Sequence, residues 1–545
     1  MSSNKILKIN TVDNIAVALQ NLSEGDTFTI DNQAITLTTN VEAKHKFALT
    51  HFNIGDEIIM YGDLMGKATQ PILRGSVVTT QNVKHDAHGF TTKTKDYAWT
   101  PPDVGRFKDR TFDGFHRADG QVGTQNVWLI IPLVFCENRN VTVIHEALTK
   151  ELGYAKTNNF QDLVRGLKNT EGVESIDYQS ITPISADNKR HFPNIDGIKV
   201  LTHQGGCGGI RQDSETLCGL LAGYVNHPNV GGATILSLGC QNAEITTFKR
   251  ELDKRNSLFD KPLVVVDQQK SGTEKQMIDE AIIETFKGLH RANQIERRPA
   301  PLSKLNIGVK CGGSDGFSGI SANPAMGFTA DLLVTLGGSI VLAEFPELCG
   351  QEQSLLDRCE NRDIADKFAV LQTTYAARAI AVGSGFDMNP SPGNIRDGLI
   401  TDAMKSAGAA KKGGHSPVTD VLDYPEVVKK AGLNLLCTPG NDVECTTAMT
   451  GAGTNLILFS TGLGTPTGNP VCPVLKLSTN TTLAKRMSDI IDIDTGRIIT
   501  GDISIEEMGA EILELCIETA SGRIVPKAVQ LGQDDFIPWK RGVSL

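Results

Sequence analysis

Apolar runs that alternate with stretches of helical character begin near residue 121 and continue almost to the end of the sequence. Each run has the length of a buried strand, and each following stretch is long enough for a helix. Repeated units of this kind predict a parallel sheet covered by helices on both faces. The first series contains NVWLIIPLVFC, IKVLTHQ, ATILSLGC and PLVVVDQQ, and the second contains LNIGVK, SIVLAEF, LNLLCTP and NLILFST. The segment RRPAPLSK between them is predicted to be a short break.

The region before residue 84 has a different pattern. Short apolar segments such as TFTI, KFALT and EIIMYG are separated by Gly, Asp and Asn turns, which predicts a small β domain. The polar stretch that follows contains Pro-Pro and has no hydrophobic periodicity of a helix or strand, so it is predicted to be a linker with a hinge. The predicted organisation is a β domain (1–83), a linker (84–110), a middle α/β domain (111–300) and a C-terminal α/β domain (301–545).

Composition excludes several classes of protein. The net charge is −10 and no basic block is present, which argues against a nucleic-acid partner. No apolar run approaches the roughly 20 residues of a membrane span, and the N-terminal segment lacks the pattern of a secretion signal. Eleven cysteines are too sparse and too odd in number for a disulfide framework. We therefore expect a cytoplasmic protein with reduced thiols.

Four cysteines lie at or just after the ends of predicted strands. Cys136, Cys207 and Cys240 belong to the first series, and Cys311 belongs to the second. A single cysteine commonly packs as a small buried hydrophobe. Because ligands bind beyond the carboxyl ends of parallel strands, the three cysteines of the first series together favour a thiolate site for iron. The pattern leaves open whether that iron is a single ion or an iron–sulfur cluster with an open coordination position.

Two glycine-rich loops follow predicted strands. THQGGCGGI (202–210) places His203 beside Cys207, and a histidine at this position can act as a base or as a ligand. In KCGGSDGFSGISANPAMGF (310–328), glycines free backbone N–H groups to form an anion-binding nest. Ser314, Asp315 and Ser318 add side-chain oxygens to that loop. STGLGTPTGNP fails the dinucleotide fingerprint in its glycine spacing, and no Walker A pattern occurs.

The dispersed motifs HRADGQVGTQN, THQGGCGG, LSLGC, KCGGSDGFSGISANP, NPSPGN and TPGND, in this order, resemble the altronate/galactarate dehydratase family. The resemblance covers nearly the whole chain and is closest to the branch that acts on altronate. It implies an N-terminal β-clip domain of the SAF type, a middle domain that forms a homodimer, and a C-terminal Rossmann-like domain with a parallel sheet. It also implies dependence on Fe²⁺. The expected ligand pool is then Cys136, Cys207, Cys240 and Cys311.

The reaction that this resemblance implies is loss of water from a sugar acid with hydroxyl groups at C2 and C3. A base must take the C2 proton, and an acid must protonate the departing hydroxide. We expect His203 as the base, and His45 or Lys46 as the acid or as a clamp on the substrate carboxylate. Asp315 and Ser314 are expected to hold substrate or a second cation. The remaining expected substrate-binding residues are Arg117, Gly312, Gly313, Ser318 and Asn394.

Three alternatives stay open. Galactarate dehydration and elimination of sulfite from a sulfonated acid use the same proton abstraction and differ only in the distal end of the substrate. A sugar-acid-binding protein without catalysis would share the fold, although the set of His, Cys and Asp residues at strand ends argues against it. An oxidoreductase that uses a nicotinamide cofactor is disfavoured by the broken glycine fingerprint.

Overall fold

The computed structural model describes residues 5–156, 159–168, 189–542 and 544. Across these ranges, short antiparallel strands come first, and two series of parallel strands with intervening helices follow. The predicted α/β class is therefore confirmed. None of the helices in these ranges is both long enough and apolar enough to cross a membrane.

The N-terminal strands pair only with one another, always antiparallel, in sheets of four, two and three strands within the described residues. Their buried side chains share a core with Phe317, Ile320 and Met404 of the C-terminal region. The β unit is therefore packed against the second parallel sheet. Its strands are β1 (Ile6–Leu7), β2 (Ile15–Ala18), β3 (Thr27–Ile30), β4 (Gln33–Thr36), β5 (Lys46–Ala48), β6 (Glu57–Met60), β7 (Asp63–Ala68), β8 (Val77–Val78) and β9 (Val83–Lys84).

The predicted linker has almost no regular secondary structure, but it is tied to the C-terminal region. Thr94 donates through both its backbone N–H and its hydroxyl to Asp357 Oδ1, at 2.8 and 2.9 Å. Lys93 donates to the Asp357 carbonyl at 2.6 Å, and the Tyr97 hydroxyl donates to the His415 carbonyl at 2.7 Å. These bonds restrain the segment that the sequence predicted to be a hinge.

The middle region is built on four parallel strands in the order β13-β12-β14-β15. Every residue of β12 and β14 is buried, as expected for strands covered on both faces. The elements are β10 (Thr111–His116), β11 (Val122–Gly123), β12 (Val127–Pro132), α1 (Asn138–Glu151), α2 (Asn159–Lys168), β13 (Gly197–Val200), α3 (Arg211–Asn226), β14 (Val230–Ser237), α4 (Ile245–Arg255), β15 (Leu263–Asp267), α5 (Gln268–Ser271), α6 (Glu274–Ala292) and β16 (Arg297–Pro301).

The sequence predicted a short break at RRPAPLSK, but part of this segment is a strand. Its first five residues form β16, which pairs antiparallel with β10 in a separate three-stranded sheet. The strand contains two prolines, which are tolerated because β16 lies at an edge of that sheet. The strand connects the two parallel sheets.

The C-terminal region contains seven parallel strands in the order β19-β20-β18-β17-β21-β22-β23. Their carboxyl ends share one edge, which holds the second glycine-rich loop. The elements are β17 (Asn306–Cys311), α7 (Ala322–Thr335), β18 (Ser339–Leu342), α8 (Glu352–Arg358), α9 (Arg362–Ala381), α10 (Pro392–Arg396), α11 (Asp402–Ala410), β19 (Val418–Leu422), β20 (Gly432–Leu436), α12 (Asp442–Gly451), β21 (Leu456–Thr461), β22 (Val474–Ser478), α13 (Thr481–Arg486), β23 (Ile493–Asp494), α14 (Ile505–Ala520) and α15 (Lys527–Leu531).

Helices α3 and α12 join the two parallel sheets at very close range. A Cβ on Gly223 of α3 would lie 2.3 Å from the carbonyl oxygen of Gly451 at the end of α12. The Tyr224 hydroxyl donates to the Thr447 carbonyl at 3.2 Å. Since α3 follows the loop that carries Cys207, this contact fixes that loop relative to the C-terminal sheet.

Replacement of Gly223 by alanine should therefore weaken the docking of α3 on α12. The added methyl group would collide with backbone, so we expect a loss of about 1–3 kcal/mol of stability and a lower midpoint in scanning calorimetry. Gly89→Ala is the matched control, because a Cβ there meets nothing within 4 Å. Equal midpoints for the two variants would contradict the proposed tight contact.

Candidate functional site

Three exposed cysteines lie at one edge of the first parallel sheet. Cys136 is in the 3-10 turn that follows β12, Cys207 is in the loop after β13, and Cys240 comes shortly after β14. The three loops are held together by backbone hydrogen bonds, from Phe135 N–H to the Gly205 carbonyl and from Ala243 N–H to the Gly206 carbonyl, each 3.1 Å long. The structure thus brings these predicted ligands to the same edge.

Gly206 explains why the loop around Cys207 is so rich in glycine. Its φ is +97°, and a Cβ there would lie 2.1 Å from the Leu133 carbonyl oxygen. Any other residue would be both strained and in collision with the backbone that leads to Cys136. The glycine allows the two cysteine loops to touch.

His203 lies in the same loop with both ring nitrogens engaged. Nε2 donates to the Pro132 carbonyl at 2.7 Å, and Nδ1 accepts from Gly205 N–H at 3.1 Å. Burial lowers the pKa of this imidazole, and the hydrogen bond to Pro132 only partly opposes that effect. These contacts hold one neutral tautomer, in which Nδ1 is the ring nitrogen that could take a proton if the Gly205 N–H were displaced.

A cavity of about 650 Å³ opens beside the cysteine loop. It is large enough for a small organic acid. Its walls include Asn138, His203, Cys207, Asp213, Trp539 and Lys540. The C-terminal segment of the chain therefore contributes to the surroundings of Cys207.

A second group of polar side chains is buried at the carboxyl edge of the seven-stranded sheet. Glu344 follows β18 and forms ion pairs with Lys310 and, at 2.7 Å, with Lys412. Lys412 Nζ also lies 3.1 Å from Cys311 Sγ. Glu347, one turn further on, lies 3.6 Å from the same sulfur. All five residues are 3% exposed or less.

The charges of this cluster are balanced. Lys405 pairs with Glu347 at 2.8 Å, and Lys310 pairs with Asp442 at 2.8 Å. Burial alone would raise the pKa of Glu347, but the ammonium groups of Lys405, Lys310 and Lys412 lower it to about 2. Burial raises the pKa of the Cys311 thiol, against the effect of Lys412. Burial and the neighbouring Glu347 raise the pKa of Glu344. The cluster therefore brings carboxyl, ammonium and thiol groups into direct contact.

Cys311, Glu344 and Glu347 also have the spacing of a metal site. One ligand atom from each lies within 4.8 Å of the others, so this buried group could hold a metal ion. However, Lys412 already contacts both the sulfur and a carboxylate oxygen, and an ion would have to displace its ammonium group. The three exposed thiols have no such competing cation among their described contacts. They do not, however, form a group whose ligand atoms all lie within 4.8 Å of one another in the described residues.

Asp315, a predicted catalytic residue, belongs to the second glycine-rich loop and is completely buried. One carboxylate oxygen accepts from Phe317 N–H at 3.1 Å and from the Ser318 hydroxyl at 3.2 Å. The other accepts from the Thr479 hydroxyl at 3.0 Å and lies 3.0 Å from Lys44 Nζ. Asp315 thus holds the loop and a lysine from the N-terminal domain together.

The turn that carries Lys44, His45 and Lys46 is wedged into the C-terminal region. A Cβ on either Gly316 or Gly398 would lie 2.4 Å from the Lys44 carbonyl oxygen. Lys44 also pairs with Asp397 at 2.7 Å, and Lys46 Nζ donates to the Gly398 carbonyl at 2.6 Å. The structure therefore brings Lys46 to the same loops as Asp315, as the predicted site requires.

The two lysines of this turn differ in their electrostatics. Burial lowers the pKa of Lys46 to about 7, although the nearby carboxylate of Asp315 partly opposes the shift. Burial has the same tendency at Lys44, but Asp315 and Asp397 outweigh it and raise the pKa. Half-buried His45 has a pKa lowered by burial. Burial thus brings the pKa of Lys46 close to neutrality, where a lysine can exchange a proton.

The glycine-rich loop is only partly free to bind an anion. Gly312 N–H donates to the Ser460 carbonyl at 3.0 Å, and Gly316 N–H donates to the Asp397 carbonyl at 2.7 Å. Gly313 has a φ of +58° and turns the chain there. The buried Ser314 hydroxyl has no hydrogen-bond partner within the described ranges. That hydroxyl is therefore available to a ligand.

The other predicted binding residues are held by the protein itself. The Asn394 amide donates to the Ser314 carbonyl at 2.8 Å and so supports the loop. Arg117 lies at the opposite, amino-terminal ends of β12 and β14. Its guanidinium donates to the Pro228 carbonyl at 2.8 Å and to Asn126 Oδ1 at 3.0 Å. The structure does not bring Arg117 to either group of candidate residues.

Sequence reasoning missed the charged members of the buried cluster. A lysine that interrupts an apolar strand directly before Cys311 was an available signal for Lys310. Glu344 offers a second signal, since a charged residue follows the apolar run SIVLA. No local pattern could pair Lys412 with Cys311, because 101 positions separate them.

Comparisons with known proteins assign each part of the chain to one family. The altronate/galactarate dehydratase SAF domain matches residues 4–86. The second domain of D-galactarate dehydratase/altronate hydrolase matches residues 114–293, and the C-terminal domain of D-galactarate/altronate dehydratase matches residues 302–544.

Full-length relatives have the same organisation. The chain is 34% identical over 523 residues to the altronate dehydratase of Bacillus subtilis (strain 168), and 34% identical over 530 residues to that of Escherichia coli (strain K12). Both alignments cover 95% of this chain and 95% of the relative. The galactarate dehydratase (L-threo-forming) of Escherichia coli (strain K12) is 29% identical over 526 residues, covering 95% of this chain and 93% of the relative.

Lys44 and Lys46 should respond differently to replacement by methionine. Lys44→Met leaves buried Asp315 without its ion pair, so we expect a loss of about 3–5 kcal/mol of stability. Lys46→Met should cost less at pH 7, because it removes an ammonium group that is disfavoured by burial. Thermal unfolding of the two variants beside the parent protein measures the difference.

The pH dependence provides a further check on Lys46. Its pKa is lower in the folded than in the unfolded chain, so the cost of burying the ammonium is full below about pH 7 and disappears toward pH 10. The stability of Lys46→Met relative to the parent should therefore decrease over that interval. Equal destabilisation of both variants at every pH would contradict this assignment.

Proposed function

The chain belongs to the altronate/galactarate dehydratase family, and we propose that it removes water from D-altronate to give 2-keto-3-deoxy-D-gluconate. The observation that carries the proposal is the 34% identity, over 95% of both chains, to proteins named altronate dehydratase. The chain also has buried acid, base and ammonium groups at the edge where a parallel sheet binds ligands. The activity is that of a carbon–oxygen lyase.

The chemistry requires two proton transfers. The bond from C2 to hydrogen and the bond from C3 to hydroxyl break, a double bond forms between C2 and C3, and the resulting enol becomes the 2-keto acid. For the acid that protonates the departing hydroxide we propose Lys46, since a lysine with a pKa of about 7 is about half protonated at neutral pH. His45, beside it on the same turn, is the alternative.

His203 stays the proposed base only in a form in which Nδ1 is free. In the present geometry Nδ1 accepts from Gly205 N–H, so substrate would have to replace that donor. For the substrate carboxylate we propose Ser314, whose buried hydroxyl has no partner among the described residues. Asp315 would act through Lys44, by holding the N-terminal turn against the loop.

We propose that Cys136, Cys207 and Cys240 hold iron. When bound, iron supplies positive charge that stabilises the negative charge developing on the substrate after loss of the C2 proton. The thiols do not share the mutual spacing within 4.8 Å found at Cys311. Three thiolates suit either a single iron ion or an iron–sulfur cluster with an open coordination position, and the content of acid-labile sulfide distinguishes the two.

We also propose a homodimer that forms through the middle domain and works in the cytoplasm. Two exposed apolar side chains of α6 support the homodimer, since Ile283 is 54% exposed and Phe286 is 42% exposed. Reduced thiols support the cytoplasmic location, since Cys136, Cys207 and Cys240 are exposed and form no disulfide.

The proposed activity is tested with protein purified without oxygen and supplied with Fe²⁺ and a thiol. We expect D-altronate to be converted to a 2-keto-3-deoxy acid at a rate at least about tenfold above that with galactarate, since a tenfold preference needs only about 1.4 kcal/mol of differential binding. Colorimetric detection of the 2-keto acid follows both reactions. Faster turnover of galactarate would reassign the substrate, and turnover of neither would contradict the proposal.

The iron site is tested by separate replacement of the three exposed cysteines with serine. Cys136→Ser, Cys207→Ser and Cys240→Ser should each lose most bound iron and acid-labile sulfide, measured per chain, together with turnover. Cys218→Ser is the matched control because Cys218 is buried in α3, where burial raises the pKa of its thiol to about 12. Iron without sulfide would indicate a single ion, and full iron in all three variants would exclude these ligands.

A further inference from the structure

Helix α11 has two faces with different surroundings. Ala403, Met404 and Ala407 pack into the core shared with the N-terminal strands. Asp402 and Ser406 lie on the opposite face, four positions apart, and therefore are neighbours on the helix surface. Lys405, on the same side, pairs with Glu347 of the buried charge cluster. This polar face is directed toward the candidate site.

Several buried polar groups at this face have unused hydrogen-bonding capacity among the described residues. The Ser406 hydroxyl is fully buried and has no hydrogen-bond partner within the described ranges, and the fully buried Asp402 carboxyl has the Cys349 thiol as its neighbour. Asn389 Nδ2 is also buried and has no hydrogen-bond partner within the described ranges. Asn389 Oδ1 accepts from Lys405 Nζ at 3.0 Å, which places that amide beside the helix face. Buried polar groups are nearly always paired, so such a concentration of unpaired atoms indicates a missing ligand.

The group is close to solvent on one side. Cys349 and Asn389 are partly exposed, and the Cys349 thiol lies beside the Asp402 carboxyl. The partial exposure of Cys349 and Asn389 places this face of α11 near the surface. We call Asp402, Ser406 and Asn389 together the α11 subsite.

We propose that the α11 subsite, formed by Asp402, Ser406 and Asn389, binds the distal hydroxyl groups of the sugar acid. The proposal rests on the function proposed above and concerns how the same site recognises the length of its substrate. Each sugar hydroxyl is both a donor and an acceptor. Burial raises the pKa of Asp402 to about 8, so near pH 7 its carboxyl is largely protonated and can both donate and accept, as the Ser406 hydroxyl can. With the Asn389 amide as a donor, these groups would complement a run of sugar hydroxyls.

Binding of two unreactive ligands tests the proposal without depending on turnover. A six-carbon 3-deoxy aldonic acid keeps the distal hydroxyl groups and has no C3 hydroxyl to lose, and a four-carbon 3-deoxy aldonic acid lacks most of the distal groups. We expect calorimetry on the iron-loaded protein to give at least about tenfold tighter binding of the six-carbon acid, since each unpaired buried polar group costs roughly 1–3 kcal/mol.

Ser406→Ala and Asp402→Ala should each remove most of that advantage and leave the affinity for the four-carbon acid within about twofold. Ser416→Ala is the matched control, because Ser416 is also buried with an unpartnered hydroxyl but lies near Asp331 and Arg358. Ser406→Ala, the smaller change, decides the test where Asp402→Ala fails to fold.

An unchanged preference for the six-carbon acid in Ser406→Ala would overturn the subsite, as would equal losses for both acids. In either case, turnover of D-altronate by the parent protein would leave the proposed function standing. If the parent binds neither acid and turns over no sugar acid, both proposals fail together.

Discussion

The ion pairs of Glu344 with Lys310 and Lys412 organise the edge of the C-terminal sheet. Glu344 adopts a left-handed conformation, with φ of +70°, which is uncommon for a residue other than glycine and persists only where the surroundings enforce it. The two lysines come from the end of β17 and from the turn after α11, so a single carboxylate joins three segments that are distant in sequence. Loss of one partner would leave a buried charge uncompensated, which is far more costly than the absence of the whole cluster. The position of the second glycine-rich loop, directly after Lys310, depends on this arrangement.

The N-terminal domain depends on the same loop through a different contact. The Lys44 carbonyl fits between Gly316 and Gly398, where a side chain on either glycine would block it. Lys44 then neutralises Asp315, while the buried Lys46 ammonium donates to the Gly398 carbonyl and is not ion-paired with any described residue. One turn therefore supplies both a stabilising ion pair and a lysine whose pKa is near neutrality. A fold that needed stability alone would have no reason to bury the second lysine in this way.

The alternation of apolar runs and helical stretches was sufficient to predict the two parallel sheets, because continuous burial leaves a clear pattern in the sequence. It also predicted that Cys136, Cys207 and Cys240 would share an edge, since adjacent parallel strands end on the same side. It could not show that Cys311 would contact Lys412, or that His203 would use both ring nitrogens within its own loop. Those contacts depend on which loops meet in space. The short break predicted at β16 was wrong for a different reason, since an edge strand tolerates proline.

The polar groups buried in the C-terminal region divide into two kinds, and the division has a physical meaning. Lys310, Glu344 and Lys412 satisfy one another, so they can keep their geometry whether or not a ligand is present. Ser314 and Ser406 have buried hydroxyl oxygens without partners in the described ranges, and burial of such atoms is unfavourable unless a ligand completes their hydrogen bonds. A rigid site for a polyhydroxylated acid requires both kinds of group, because the paired charges set the shape of the site and the unpaired hydroxyl groups provide the affinity.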